Sequence, residues 1–157
     1  MMKFLVTLSF LLLLLPATPS AAPASSSEAV GSALPPRVKS LLLREMNAIL
    51  AASKTILEAL VQGNDQTVAK EARAIHDSFI MKREMTPEDK KALRAAVPDN
   101  FLSRDQAFHE LSARLADAAR EGDRAGQEKL FNKLVTACTK CHAKHALDRF
   151  PGLAAVE

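Results

Sequence analysis

An all-α chain, folded as an antiparallel up-down-up-down four-helix bundle, is predicted by three observations. Apolar residues recur at three- and four-residue steps over most of the length, glycine is scarce at 5 of 157 residues, and the alternation typical of strands is nearly absent. The first helix is expected over about Arg37 to Gln62, with Val38, Leu42, Met46, Ile49, Ser53, Ile56 and Leu60 on one face. Gly63-Asn64-Asp65 ends it, and Asp65 is a candidate N-cap for a second helix over Gln66 to Lys82, which turns Val68, Ala72, Ile75 and Phe79 inward. Thr86-Pro87-Glu88-Asp89 opens a short helix to about Ala96, and Val97-Pro98 stops it. Asp99 can cap the third long helix, Asn100 to Arg120, whose inward residues are Phe101, Phe108, Leu111, Leu115 and Ala118. Gly122-Asp123 is the next break, and the last helix runs from Arg124 to about Leu147, where Phe150-Pro151-Gly152 prevents continuation. Short turns between amphipathic helices imply antiparallel neighbours, and the one long connection joins the second and third long helices.

The start of the chain reads differently. Lys3 precedes an apolar run from Phe4 to Leu15, the length of a signal-peptide core and too short to span a bilayer. Small residues and proline follow, so residues 1–24 are expected to be a cleaved signal peptide. Residues 25–36, rich in Ser, Ala and Pro, are expected to be a flexible tether to a bundle over 37–157. Only Lys3 among the charged residues lies in the leader, which leaves 20 basic and 18 acidic residues. A balance this even gives no footing for nucleic acid binding, and no second apolar segment is long enough to hold the chain in a membrane after cleavage.

Cys138-Thr139-Lys140-Cys141-His142 carries the chemistry. C-x-x-C-H is the attachment signature of c-type haem. Residues three apart on a helix share a side about 5 to 6 Å apart, so two thiols so placed can add to the two vinyl groups of one porphyrin. His142, beside Cys141, can approach the iron from one face of the ring. The motif continues an expected inward stripe of Phe131, Val135, Cys138 and His142. A disulfide across so short a loop would stabilise little. A thioredoxin-like redox pair calls for strands that the sequence lacks. A zinc site enlisting Cys138, Cys141, His142 and His145 would need four ligands spread over about 10 Å of one helix to converge on one ion.

With these residues in place, the chain after Pro36 resembles the class II c-type cytochromes, the cytochrome c-prime group and its low-spin, methionine-ligated relatives. The C-x-x-C-H motif near the end of the last helix, and Met46 in the first, carry the resemblance. It implies one covalent haem c and Met46 as the sixth iron ligand opposite His142. Where the group often has an aromatic and then a basic residue after the haem-binding histidine, this chain has Ala143-Lys144-His145-Ala146. Levels along an antiparallel bundle agree with that pairing: Met46 lies about 24 Å before the end of its helix and His142 about 28 Å after the start of the last.

Rival ligands look weaker. Met81 is expected to point away from the core on a continuous second helix, and Met85 falls beyond that helix's end. His76 and His109 read as solvated or surface-bonded histidines, and His145 as a propionate partner or a solvated side chain. The functional expectation is a one-electron carrier in the periplasm of a Gram-negative bacterium, working with unidentified redox partner proteins. If Met46 is only a neighbour, a five-coordinate haem would bind NO or CO. A haem-free metal-binding bundle is the third reading. No acid–base pair or nucleophile arrangement suggests an enzyme, since Glu84, Glu88 and Asp89 read as a solvated charged connection. A homodimer is implied only by analogy with such bundles.

Overall fold

The computed structural model describes residues 29–154, so the expected signal peptide and the first residues of the tether lie outside the described residues. Six α-helices follow in order: α1 (Pro36–Gln62), α2 (Asp65–Asp77), α3 (Met81–Glu84), α4 (Pro87–Ala96), α5 (Asp99–Arg120) and α6 (Arg124–His145). Short 3-10 turns at Val30–Ser32 and Pro151–Leu153 flank them, and the described residues hold no strand. The long helices α1, α2, α5 and α6 form the expected four-helix bundle, with α3 and α4 inside the long connection.

Local chemistry sets the boundaries. Pro36 opens α1 at a position that tolerates a missing N–H. Gly63, at φ 67°, closes it, and a Cβ there would lie 2.5 Å from the Arg124 guanidinium. Asn64, rather than the expected Asp65, caps α2 by accepting from the Thr67 N–H at 3.1 Å. Asp65 is engaged elsewhere, accepting from Gln127 at 3.1 Å. Thr86 and Asp89 form a reciprocal capping box on α4. Pro98, not Asp99, is the α5 cap, and Asp99 is the first helical residue.

The second helix departs most from expectation. It ends at Asp77, five residues early, because Ser78 adopts φ 61° and the chain turns. The reason lies on α1. Glu45, 2% exposed, accepts the N–H groups of Phe79, Ile80 and Met81 at 3.1, 2.5 and 3.1 Å. Three amides satisfied by one carboxylate replace the helical bonds that would have carried α2 onward.

The main core joins all four long helices. Ile56, Val68, Ile75, Leu115 and Leu134 are fully buried within it. On α1 the buried line is Val38, Leu41, Glu45, Ile49, Ala52, Ile56 and Ala59, offset from the expected stripe at several positions, and Met46 packs half-buried against the core from its flank. A smaller second core gathers Val30, Leu34, Val38, Val97 and Phe101. The expected tether over 25–36 is therefore packed from Val30 onward, because Val30 and Leu34 find an apolar surface where α1 meets the start of α5.

Three sides of the bundle are closely packed: α1 on α2, α2 on α5, and α5 on α6. The fourth side, between α1 and α6, has almost no close backbone approach.

Candidate haem site

The C-x-x-C-H motif lies in the last two turns of α6, beside the wide α1–α6 side. The buried line of α6 is Gln127, Leu130, Phe131, Leu134 and His145. Cys138 falls one turn after Leu134 and Cys141 one turn before His145, so both thiols share the inward face. Both cysteines are free and half-buried. Burial pushes both thiols above their ordinary pKa; the neighbouring Cys141 adds to this at Cys138, and at Cys141 Arg104 opposes it while Asp105 reinforces it. Protonated thiols packed against α5 follow.

His142 sits at the margin of that face. Its ring stacks on Phe150, with centroids 4.6 Å apart and planes 12° from parallel. Burial, helped by the Arg149 charge, holds its pKa below the ordinary histidine value, which keeps the imidazole neutral and its nitrogen lone pair available to a metal. Val135, expected inward, is 46% exposed, because it projects about 100° from Leu134 around the helix axis. His145, one candidate for a solvated side chain, is instead 1% exposed and meets Phe101 edge-on at 5.4 Å.

Met46 is level with the motif. The Arg124 guanidinium donates to the Gly63 carbonyl at 3.1 Å, which pins the end of α1 to the start of α6. Met46 lies 17 residues before Gly63 and Cys141 lies 17 residues after Arg124, about 26 Å along each helix. His142 is about 1.5 Å further on. Met46 and Arg44 are two positions apart and point about 160° from one another. Arg44 faces α3 through a two-pronged pair with Glu84 at 2.7 and 2.7 Å, which leaves Met46 on the opposite flank of α1.

The other candidates fall elsewhere. His76 is bonded to Asp77 at 2.9 Å, as a surface histidine would be. His109, read as a solvated or surface-bonded side chain, is instead wedged between α2 and α5, with Nδ1 2.7 Å from the Ile75 carbonyl. Met81 and Met85 line a cavity of about 260 Å³ between α1, α3, α4 and α5, because the break at Ser78 changes the register on which Met81's outward orientation rested. Asp89 is buried against the bundle, where it caps α4 and pairs with Arg37 at 3.0 Å. Sequence reasoning missed Glu45 altogether, since a stripe chosen for apolarity passes over a carboxylate, although 41, 45 and 49 are helically spaced.

An all-α bundle whose last helix turns two free thiols inward, with a histidine at the margin of that face, defines a c-type haem protein of the bundle class. The family described as Cytochrome C' matches residues 40–145. The chain belongs to that family of c-type cytochromes, which carry covalently bound haem c. Among curated proteins and among solved structures, none matches the chain. No described helix is long and apolar enough to cross a membrane. The residues fit the group. Cys138 and Cys141 would hold it and His142 would ligate it, beside the α1–α6 side where close backbone approach is scarce.

Proposed function

We propose that this chain is a periplasmic monohaem one-electron carrier rather than an enzyme. In this reading Cys138 and Cys141 hold the haem by thioether links, His142 is the proximal ligand and Met46 the sixth. The observation that carries it is the shared level of Met46 and the motif across the one loosely packed side of the bundle. Bound haem supplies a one-electron iron couple. The chain's part would be to supply two donors to the iron, the His142 imidazole and the Met46 thioether. Phe150 orients the His142 ring from outside, burial keeps that ring neutral, and the Met46 thioether is a soft donor that favours the reduced metal. Met46 packs half-buried against the aliphatic core. Export to the periplasm rests on the apolar leader, and any docking partner is a redox protein.

The absorption spectrum of the reduced protein tests this reading. Low-spin bands are expected, and Met46→Ala is expected to convert them to high-spin bands. An unchanged spectrum in the variant removes Met46 as the ligand. High-spin bands in the unaltered protein would favour an open iron face for NO or CO. A negative pyridine haemochrome assay would favour the haem-free reading.

A further inference from the structure

The charge of this chain is nearly balanced as a whole, but not on α6. The neighbouring α5 carries three basic and four acidic residues, whereas α6 carries five basic residues and one acidic one. Four of the five, Lys129, Lys133, Lys140 and Lys144, follow one another at four-, seven- and four-residue steps. That spacing confines them to about 60° of the helix surface over about 22 Å of its length. Glu128, the acidic residue of α6, points about 100° or more away from each of them. We propose that this lysine face is the docking surface for the redox partner, and that the partner meets it with a cluster of carboxylates. This rests on the one-electron carrier reading.

The lysines are open to a partner. Lys129, Lys133 and Lys140 are exposed and Lys144 is partly so. Among the described residues none of the four forms an ion pair, so no α5 carboxylate neutralises them. Other exposed charges do find partners, as in Arg44–Glu84, Arg73–Asp117 and Arg120–Asp117. A helix that needed charge only for solubility would interleave the signs, because like charges four residues apart repel. Lys129–Lys133 and Lys140–Lys144 are two such pairs. The helix dipole accounts for Lys144 in the last turn, but Lys129 and Lys133 lie too far from that end to benefit.

The face also lies over the motif. Lys140 stands between Cys138 and Cys141 in sequence and points outward from the turns whose thiols point inward. The exposed Arg104 of α5, whose charge acts on the Cys141 thiol, adds a cation beside those turns. Asp105 acts on the same thiol in the opposite sense, but it is drawn to His109, with Oδ1 3.7 Å from Nε2. A partner lying along α6 is separated from the two thiols by little more than one helix width, about 10 Å. A patch of one sign steers an oppositely charged partner into that position.

The test follows electron entry into the holoprotein by stopped flow, with reduced flavodoxin, an acidic redox protein, as the probe. The rate is expected to fall about tenfold or more as salt rises from about 10 mM to about 300 mM. The Lys129→Gln/Lys133→Gln/Lys140→Gln/Lys144→Gln variant is expected to lose about tenfold in rate at low salt and to respond weakly to salt. The Lys39→Gln/Lys54→Gln/Lys70→Gln/Lys91→Gln variant removes the same net charge from α1, α2 and α4 and is expected to stay within about twofold of the unaltered protein. Backbone amide shifts on titration with oxidised flavodoxin are expected to cluster at residues 129–144. That mapping needs no electron transfer, so a haem-free or high-spin protein would fail the carrier reading by its spectrum while the docking face is still read. An unchanged rate in the α6 variant, an equal loss in the second variant, or amide shifts centred on another helix would each overturn the proposal. So would flotation with anionic phospholipid vesicles that depends on these four lysines while the flavodoxin rate does not, since the face would then belong to a membrane surface.

Discussion

Where Gly63 meets Arg124, the four long helices close on Ile56, Val68, Leu115 and Leu134, each 0% exposed, with alanines between them. At the other end lie the buried carboxylate of Glu45, the buried imidazole of His145 and, where α3 and α4 complete the wall with α1 and α5, a cavity of about 260 Å³, while α1 and α6 make few close backbone approaches. The first end is held by area removed from water and by close packing. The second adds directed contacts to its smaller apolar core: three amides on one carboxylate, a two-pronged Arg44–Glu84 pair and a capping box. An end proposed to receive a prosthetic group would leave part of its interior free of aliphatic side chains. The bundle separates the two tasks along its axis.

The largest effect is expected at the closed end. Leu115→Ala should cost about 3 kcal/mol of stability, measured by urea unfolding, and should leave the haem spectrum unchanged. A loss below about 1 kcal/mol would mean that this end repacks freely, and the contrast would fail.

At the opposite end, Glu45→Gln should cost about 2 kcal/mol, because one amide oxygen cannot serve three N–H groups and the new NH₂ faces donors. Hydrogen exchange should quicken first at Phe79, Ile80 and Met81. Unaltered exchange there would show that the turn stands without its carboxylate.

The smallest effect is an acid sensitivity confined to the same end. The hydrogen bond from Arg44 holds Glu84 below its ordinary 4.5, and the backbone N–H of Thr86, then Arg37, holds Asp89 below its ordinary 3.8. Lowered carboxylates contribute stability that is present above their unfolded values and lost as the pH falls through the lower folded ones. Between about pH 4.5 and more acid values, amides of α3 and α4 should therefore open before those of the closed end, and added salt should blunt the difference. Simultaneous opening of both ends would count against a division of labour.

Much of this architecture was legible without coordinates, where punctuation is local. Pro36, Gly63, Pro98 and Gly122 bound the long helices within a residue or two of expectation, since proline and glycine act on their own backbone. The C-x-x-C-H spacing placed both thiols on one side of α6 for the same reason. What could not be read depends on partners far along the chain. Nothing within residues 75–82 announces that α2 ends at Asp77; the cause is a carboxylate 34 positions or more upstream. The orientation of Met81, the wedged position of His109 and the burial of His145 inherit that uncertainty, because each follows from how distant segments meet. Val30 and Leu34 lie in a stretch that reads as a tether because their neighbours are small and polar, yet two apolar side chains suffice to dock it.

The loosely packed side of the bundle lies between the first and last long helices. Met46 and Cys141, the two halves of the proposed site, are 95 positions apart in the chain. Any fragment lacking either terminal helix holds half a pocket at most, and a growing chain completes the pair only when its final helix emerges. Loop closure over that distance is entropically the most demanding step in assembling the domain. A tetrapyrrole tethered to one helix and ligated from the other would act as the rivet that joins the beginning of this fold to its end.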